Sequence, residues 1–131
     1  MTNGCFDLIH VGHLNVFKAC KKWGQVLVVG LNSDASVRRL KGRKRPIIGQ
    51  NDRAQLIAGL EPVDYVTIFN EDTPEKLIKA VMPDVLVKGG DWKKSSIVGA
   101  DVVRKVVRVP LVKGRSTTAI IQKIAAAYGR P

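Results

Sequence analysis

Three observations predict an α/β protein built on a doubly wound, parallel five-stranded sheet. Apolar runs of strand length alternate with amphipathic helical stretches, most helical stretches carry a start or stop signal, and the residues capable of chemistry fall just after the strands. A chain of 131 residues with 45% hydrophobic content can bury one proper core, so a single domain over 1–131 is expected.

Met1 to Cys5 reads as the end of a first strand, and Leu14, Phe17 and Cys20 form the apolar stripe of a helix closed by Gly24. Val26 to Leu31 is a continuous run rich in β-branched residues, the pattern of a strand covered on both faces. The basic segment Arg38, Arg39, Lys41, Arg43, Lys44 and Arg45 reads as a loop, followed by a helix that Asp52 caps, Leu56, Ile57 and Leu60 line, and Pro62 ends. Tyr65 to Phe69 is the third strand. Asp72 with Glu75 makes a capping-box pattern, with Pro74 in the first turn of a helix through Ala80. Val85 to Lys88 gives a fourth strand, Ser96 to Arg104 a helix and Val106 to Val109 a fifth strand. A last helix from Ser116 is expected to bury Ile120, Ile121 and Ile124. The succession is Rossmann-like, and such sheets bind ligands beyond the carboxyl ends of the strands, where strand order reverses.

Both histidines of the chain lie in His10-Val11-Gly12-His13, at the start of the first helix. Imidazoles at this spacing project to one side, and Gly12 removes a side chain that would keep a phosphate off the backbone. Free N–H groups and the positive end of the helix dipole would add to the histidine donors, which makes this a phosphate site. The other readings are a metal pair or two surface histidines; only Asp7 lies close enough in sequence to help hold a metal.

The formal charge of +11 suits polyanionic ligands, nucleic acid included. The basic segment could close over a triphosphate or simply be a solvated run, and it lacks the interleaved aromatics of a nucleic-acid surface. Cys5 and Cys20 lack CxxC spacing and nothing reads as a secretory leader, so two reduced thiols in a cytoplasmic protein are expected. No apolar run approaches membrane-spanning length.

The stretch GCFDLIHVGH resembles the signature of the cytidylyltransferase-like nucleotidyltransferases. NSDAS from Asn32, Arg45-Pro46, Asp52-Arg53, EDTP from Glu71, Lys88-Gly89-Gly90-Asp91-Trp92 and Gly114-Arg115-Ser116-Thr117-Thr118 then follow the order of one branch, the D-glycero-D-manno-heptose 1-phosphate adenylyltransferases, which occur alone or as half of a bifunctional heptose kinase/adenylyltransferase. The resemblance covers almost the whole chain. Relatives have several strand residues ahead of NGCFD where this chain has only Met1 and Thr2, so upstream residues are expected to be missing. The tight step from Arg104 to Val106 likewise suggests an absent short loop.

The resemblance implies transfer of AMP from ATP to a heptose 1-phosphate, giving ADP-heptose and pyrophosphate for lipopolysaccharide or another surface glycan. The acceptor is already an anion, so the lack of a Ser-His-Asp or Cys-His set fits this chemistry. By resemblance His10 and His13 act on the α-phosphate, Lys41 and Lys44 on the β- and γ-phosphates with Mg²⁺ beside them. Cys5, Phe6, Gly12, Lys88, Gly89, Gly90, Asp91, Ser116 and Thr117 are assigned to the nucleotide, and Asp7, Arg53 and Trp92 to the acceptor. Simpler alternatives stay open: plain N-capping for Ser116 and Thr117, a turn for Gly89 to Asp91, a cap or surface residue for Arg53, a core edge for Trp92, and holding the loop for Asp7. Small-molecule substrates, no nucleic acid, no membrane and a homodimer complete the expectation. A cytidylyltransferase acting on glycerol 3-phosphate or a similar acceptor ranks second, and a non-catalytic nucleotide- or nucleic-acid-binding module third.

Overall fold

A computed structural model describes residues 1–90 and 96–130. The strands are β1 (Thr2–Gly4), β2 (Val28–Asn32), β3 (Tyr65–Phe69), β4 (Val85–Gly89) and β5 (Lys105–Val109). The helices are α1 (Val11–Lys21), α2 (Asp34–Lys41), α3 (Gln50–Ala58), α4 (Glu75–Val81) and α5 (Thr117–Tyr128). All strand pairings are parallel. The expected five-stranded sheet is observed as a three-stranded sheet, β1-β2-β3, and a two-stranded sheet, β4-β5. They meet at Met1, whose amine donates to Val85 O and whose carbonyl accepts from Val87 N, each at 2.9 Å. β1 is only three residues long, and Met1 just ahead of it makes those two bonds.

Alternate strand residues enter two apolar clusters, as strands covered on both faces require. Val29, Leu31 and Val87 join Phe17 and Cys20 of α1 and Ile57 of α3; Leu86 joins Met1, Ile78 of α4 and Ile97, with Val28 and Val106 packed alongside. Among the described residues no helix is long and apolar enough to cross a membrane.

Several local expectations are corrected. The basic segment is half helix: Arg38, Arg39 and Lys41 lie on α2, capped by Ser33 Oγ on Ser36 N, and only Arg43, Lys44 and Arg45 follow it. α3 begins at Gly49 without a side-chain cap, so Asp52 sits in the first turn and favours the helix through its charge, and the helix stops at Gly59, ahead of Pro62. α4 has Pro74 at its N-cap and no capping bond from Asp72, whose carboxylate is held by Arg39 instead. α1 ends at Lys22, ahead of Gly24. No α-helix forms over 96–104: after a single 3₁₀ residue at Ser96 the segment runs as turns through Gly99 at φ 85°, where a Cβ would approach Ile78 Cδ1 to 2.6 Å. The tight helix-to-strand step therefore does not exist. α5 has no buried residue; Ile124 is 51% exposed and Ile120 and Ile121 are half-buried, because only its first turns lie against the fold.

Candidate active site

The loop after β1 folds back through two non-glycine residues of positive φ, Phe6 at 46° and Leu8 at 52°. L-residues rarely hold that conformation unless surrounding contacts impose it. Here Phe6 is buried between Phe17 (ring centroids 5.0 Å apart) and the edge of His13 (5.3 Å), and a Cβ on Gly4 would come within 3.0 Å of the Phe6 ring. Phe6 thus buttresses a histidine from behind.

His10 is the N-cap of α1. Its Nδ1 accepts from Gly12 N (3.1 Å), and His13 Nδ1 accepts from His10 N (3.4 Å), a capping box made of two imidazoles. In a neutral imidazole whose Nδ1 accepts, the proton sits on Nε2, so both rings offer an Nε2–H donor. The rings stack with centroids 3.7 Å apart. Burial lowers the His10 pKa, and burial followed by the nearby His10 charge brings His13 down to about 4 despite the opposing pull of Asp7. Both are therefore neutral donors near pH 7. Gly12 serves these rings more than a ligand: its N–H is bound by His10, and a Cβ would meet the His10 ring at 2.8 Å and Arg115 O at 3.3 Å.

A cleft of about 660 Å³ opens over the pair, at the carboxyl ends of β1, β2 and β4 and past β5. Cys5, Phe6, Asp7, His10, Gly12 and His13 line it from the first loop. Lys41 enters from the end of α2, Lys88 and Gly89 from β4, and Ser116 and Thr117 from the start of α5. These residues come from distant parts of the chain, and the parallel topology brings their segments to one rim.

Each brings a definite environment. Lys88 is largely buried, its Nζ 2.9 Å from Asn3 Oδ1, and burial lowers its pKa against a small opposing effect of Cys5. Burial raises the Cys5 thiol above its ordinary value, with Lys41, Arg53 and Arg45 opposing. Ser116 Oγ caps α5 by accepting from Ala119 N, and Thr117 Oγ1 donates to Asp7 O at 2.6 Å. Gly89 packs closely, since a Cβ there would lie 3.1 Å from Val16.

Three assigned residues lie off the cleft wall. Lys44 is exposed in the turn after α2 and is not part of the lining. Gly90 is buried at φ 104°, its N–H bound to Val109 O, which marks a backbone turn. Arg53 is fully buried: Nε donates to Ile48 O, Nη1 to Cys5 O and Asn32 O, and Nη2 to Asp34 Oδ1 at 2.8 Å. Neither a cap nor a surface residue, it ties the ends of β1 and β2 to the segment ahead of α3, and with four donors engaged it is placed to position rather than to bind. Asp91 and Trp92 lie outside the described residues.

The lining also includes Asn3 and Arg115, which sequence reading did not assign to the site, and Arg45, which it placed only within the basic segment that could close over a triphosphate. Arg45 and Arg115 stood inside quoted motifs, beside Pro46 and Ser116, so the signal was present but undirected. Among the described residues no group of three or more His, Cys, Asp or Glu could hold a metal ion.

A profile described as "Cytidylyltransferase-like" matches residues 1–127. The chain belongs to the cytidylyltransferase-like family of nucleotidyltransferases. It is 58% identical over 132 residues to "Bifunctional protein HldE" of Geobacter metallireducens, covering 98% of this chain and 27% of that protein. A protein of the same name from Nitratiruptor sp. is 57% identical over 123 residues, covering 94% of this chain and 27% of its own length. The chain thus spans about a quarter of the length of these curated relatives. The crystal structure of the lipopolysaccharide core biosynthesis protein from Thermoplasma volcanium superposes with a TM-score of 0.72 at 34% identity, covering 86% of this chain and 96% of that one.

Proposed function

We propose that the chain transfers AMP from ATP to D-glycero-D-manno-heptose 1-phosphate, releasing pyrophosphate and forming ADP-heptose for lipopolysaccharide or a related glycan. The observation that carries the nucleotidyl-transfer step is the stacked His10/His13 pair: two neutral imidazoles with their Nδ1 atoms engaged by backbone N–H groups and their Nε2–H donors left for a ligand. The branch-specific substrates are supported by the names of the relatives and by the VKGGD and GRSTT motifs.

In this reading an oxygen of the sugar phosphate attacks the α-phosphorus in line as the bond to the pyrophosphate oxygen breaks. No proton need leave the nucleophile. The histidine donors meet charge growing on the α-phosphoryl oxygens, and because their geometry is fixed by the α1 cap they need no reorganisation as the charge develops. Lys41, and Lys88 from the floor, supply positive charge along the phosphates; Mg²⁺ on the pyrophosphate would supply more when bound. Cys5, Phe6, Gly89, Ser116 and Thr117 shape the nucleotide side. The same reading places the enzyme in the cytoplasm, as a homodimer and without a nucleic-acid partner.

Pyrophosphate release measured with ATP or CTP against a panel of sugar and polyol phosphates tests it. ATP with heptose 1-phosphate should be used at least tenfold better than CTP, a difference of about 1.4 kcal/mol. A preference for CTP with glycerol 3-phosphate would move the chain to the cytidylyl branch.

A further inference from the structure

Asp7 and Arg45 form an ion pair at the rim of the cleft whose chemistry the reaction above does not use. The Asp7 side chain is 0% exposed and that of Arg45 17%. The carboxylate accepts from Arg45 Nε at 2.6 Å and from the backbone N–H groups of Ile47 (2.8 Å) and Ile48 (3.0 Å). Burial alone would raise the Asp7 pKa, but those two backbone donors and the guanidinium together outweigh it and hold the carboxyl below its ordinary value. Asp7 therefore stays ionised, and its oxygens face protein donors, which leaves it poorly suited to receive a sugar hydroxyl.

The consequence falls on Arg45. A guanidinium is planar, so fixing Nε–H on Asp7 fixes the plane, and the two terminal nitrogens keep their N–H donors with no protein partner among the described residues. Arg45 also lines the cleft, whereas Lys44 beside it does not. We propose that Arg45 is a phosphate ligand of this site, gripping phosphate oxygens through its terminal nitrogens, and that Asp7 is its positioning residue. Asp7 offsets the charge of Arg45, so the pair contributes direction more than net charge, and bidentate guanidinium–phosphate bonding depends on that direction. The proposal rests on the nucleotidyl-transfer reading only for which phosphate is held: that of the nucleotide tail or that of the acceptor.

Titration calorimetry on the 131-residue chain and its Arg45→Gln and Arg45→Lys variants, with inorganic pyrophosphate, heptose 1-phosphate and adenosine as separate probes, decides it. Both variants should fold, because Asp7 keeps its two backbone donors. Arg45→Gln should weaken one phosphate probe about tenfold or more with adenosine unchanged, and Arg45→Lys should restore only part of the loss. A loss for pyrophosphate assigns the nucleotide tail, and a loss for the sugar phosphate assigns the acceptor; either supports the proposal. Unchanged affinity for both, or an equal loss for adenosine, overturns it. Asp7→Asn should weaken the same probe when Arg45 is present and add nothing in the Arg45→Gln background, whereas additive losses would refute the positioning role. These binding measurements need no turnover, so an enzyme inactive on heptose 1-phosphate would sink the proposed reaction while leaving Arg45 to be judged on pyrophosphate.

Discussion

The His10 and His13 imidazoles stack at 3.7 Å with 25° between their planes, each Nδ1 bound to a backbone N–H of the same helical turn. Two positive rings could not share that spacing cheaply, so the arrangement selects the neutral pair and directs both Nε2–H donors outward. One structural device therefore caps the helix and holds the two donors that the proposed reaction would use, and substitutions can separate the two roles.

His10→Asn should keep the N-cap, since asparagine is among the best capping residues, while removing the Nε2 donor. Thermal unfolding should stay close to that of the parent. Turnover should fall a hundredfold or more, about 3 kcal/mol of transition-state stabilisation. Near-normal kcat in a folded His10→Asn protein would remove His10 from the chemistry.

Gly12→Ala tests the packing behind the donors. Alanine suits a helix better than glycine, but its Cβ would lie 2.8 Å from the His10 ring and must push the ring aside. The expected outcome is a folded protein with turnover reduced at least tenfold. Unaltered kcat would show that the ring position is not critical.

Arg53→Met should be costly to stability. It strands the carbonyls of Cys5, Asn32 and Ile48 and leaves the partly exposed Asp34 without its partner; a buried acceptor left unpaired costs about 1–3 kcal/mol, so a total loss of at least about 2 kcal/mol is expected. Urea denaturation measures it. Arg53→Lys should fall between, since a single ammonium cannot span four acceptors; a loss under about 1 kcal/mol for Arg53→Met would contradict the tying role.

The lowered pKa of His13 sets a pH window. Near its ordinary 6.5 when unfolded and about 4 when folded, the group binds more protons in the unfolded chain between those values. Its contribution to stability is therefore complete above about pH 6.5 and is lost as pH falls toward 4. His10, shifted the same way, adds to the trend. Denaturation midpoints followed from pH 7 to 4 should decline in the parent and decline less in His13→Gln; equal slopes would place the titration elsewhere.

Local sequence carried much of the fold and the centre of the site. Strand runs such as Tyr65 to Phe69 and Val85 to Lys88 were legible because burial on both faces demands unbroken apolar residues, and HVGH was legible because a helix's first turn fixes the relation of its own side chains. Capping was harder: Ser33 caps α2 inside what read as a loop, and Asp72 forgoes α4 for Arg39, since a short polar side chain finds its partner only after distant segments pack. The same limit hid the turns that stand in place of an α-helix ahead of β5, where Gly99 must pass close to Ile78, and the exposure of α5 beyond its first turns, where Ile124 is 51% exposed.

Residue roles at long range belonged wholly to the tertiary structure. Nothing in Asp7, Arg45 and Arg53 as letters tells which partners each side chain meets. The fold decides it by burying Arg53 among three carbonyls and a carboxylate, and by turning Asp7 onto Arg45 and the N–H groups of Ile47 and Ile48. Composition and periodicity set which segments become strands and helices because those depend on neighbours in sequence. Which charged group stays available to a ligand depends on how many partners reach it from elsewhere in the chain, and only folding supplies that number.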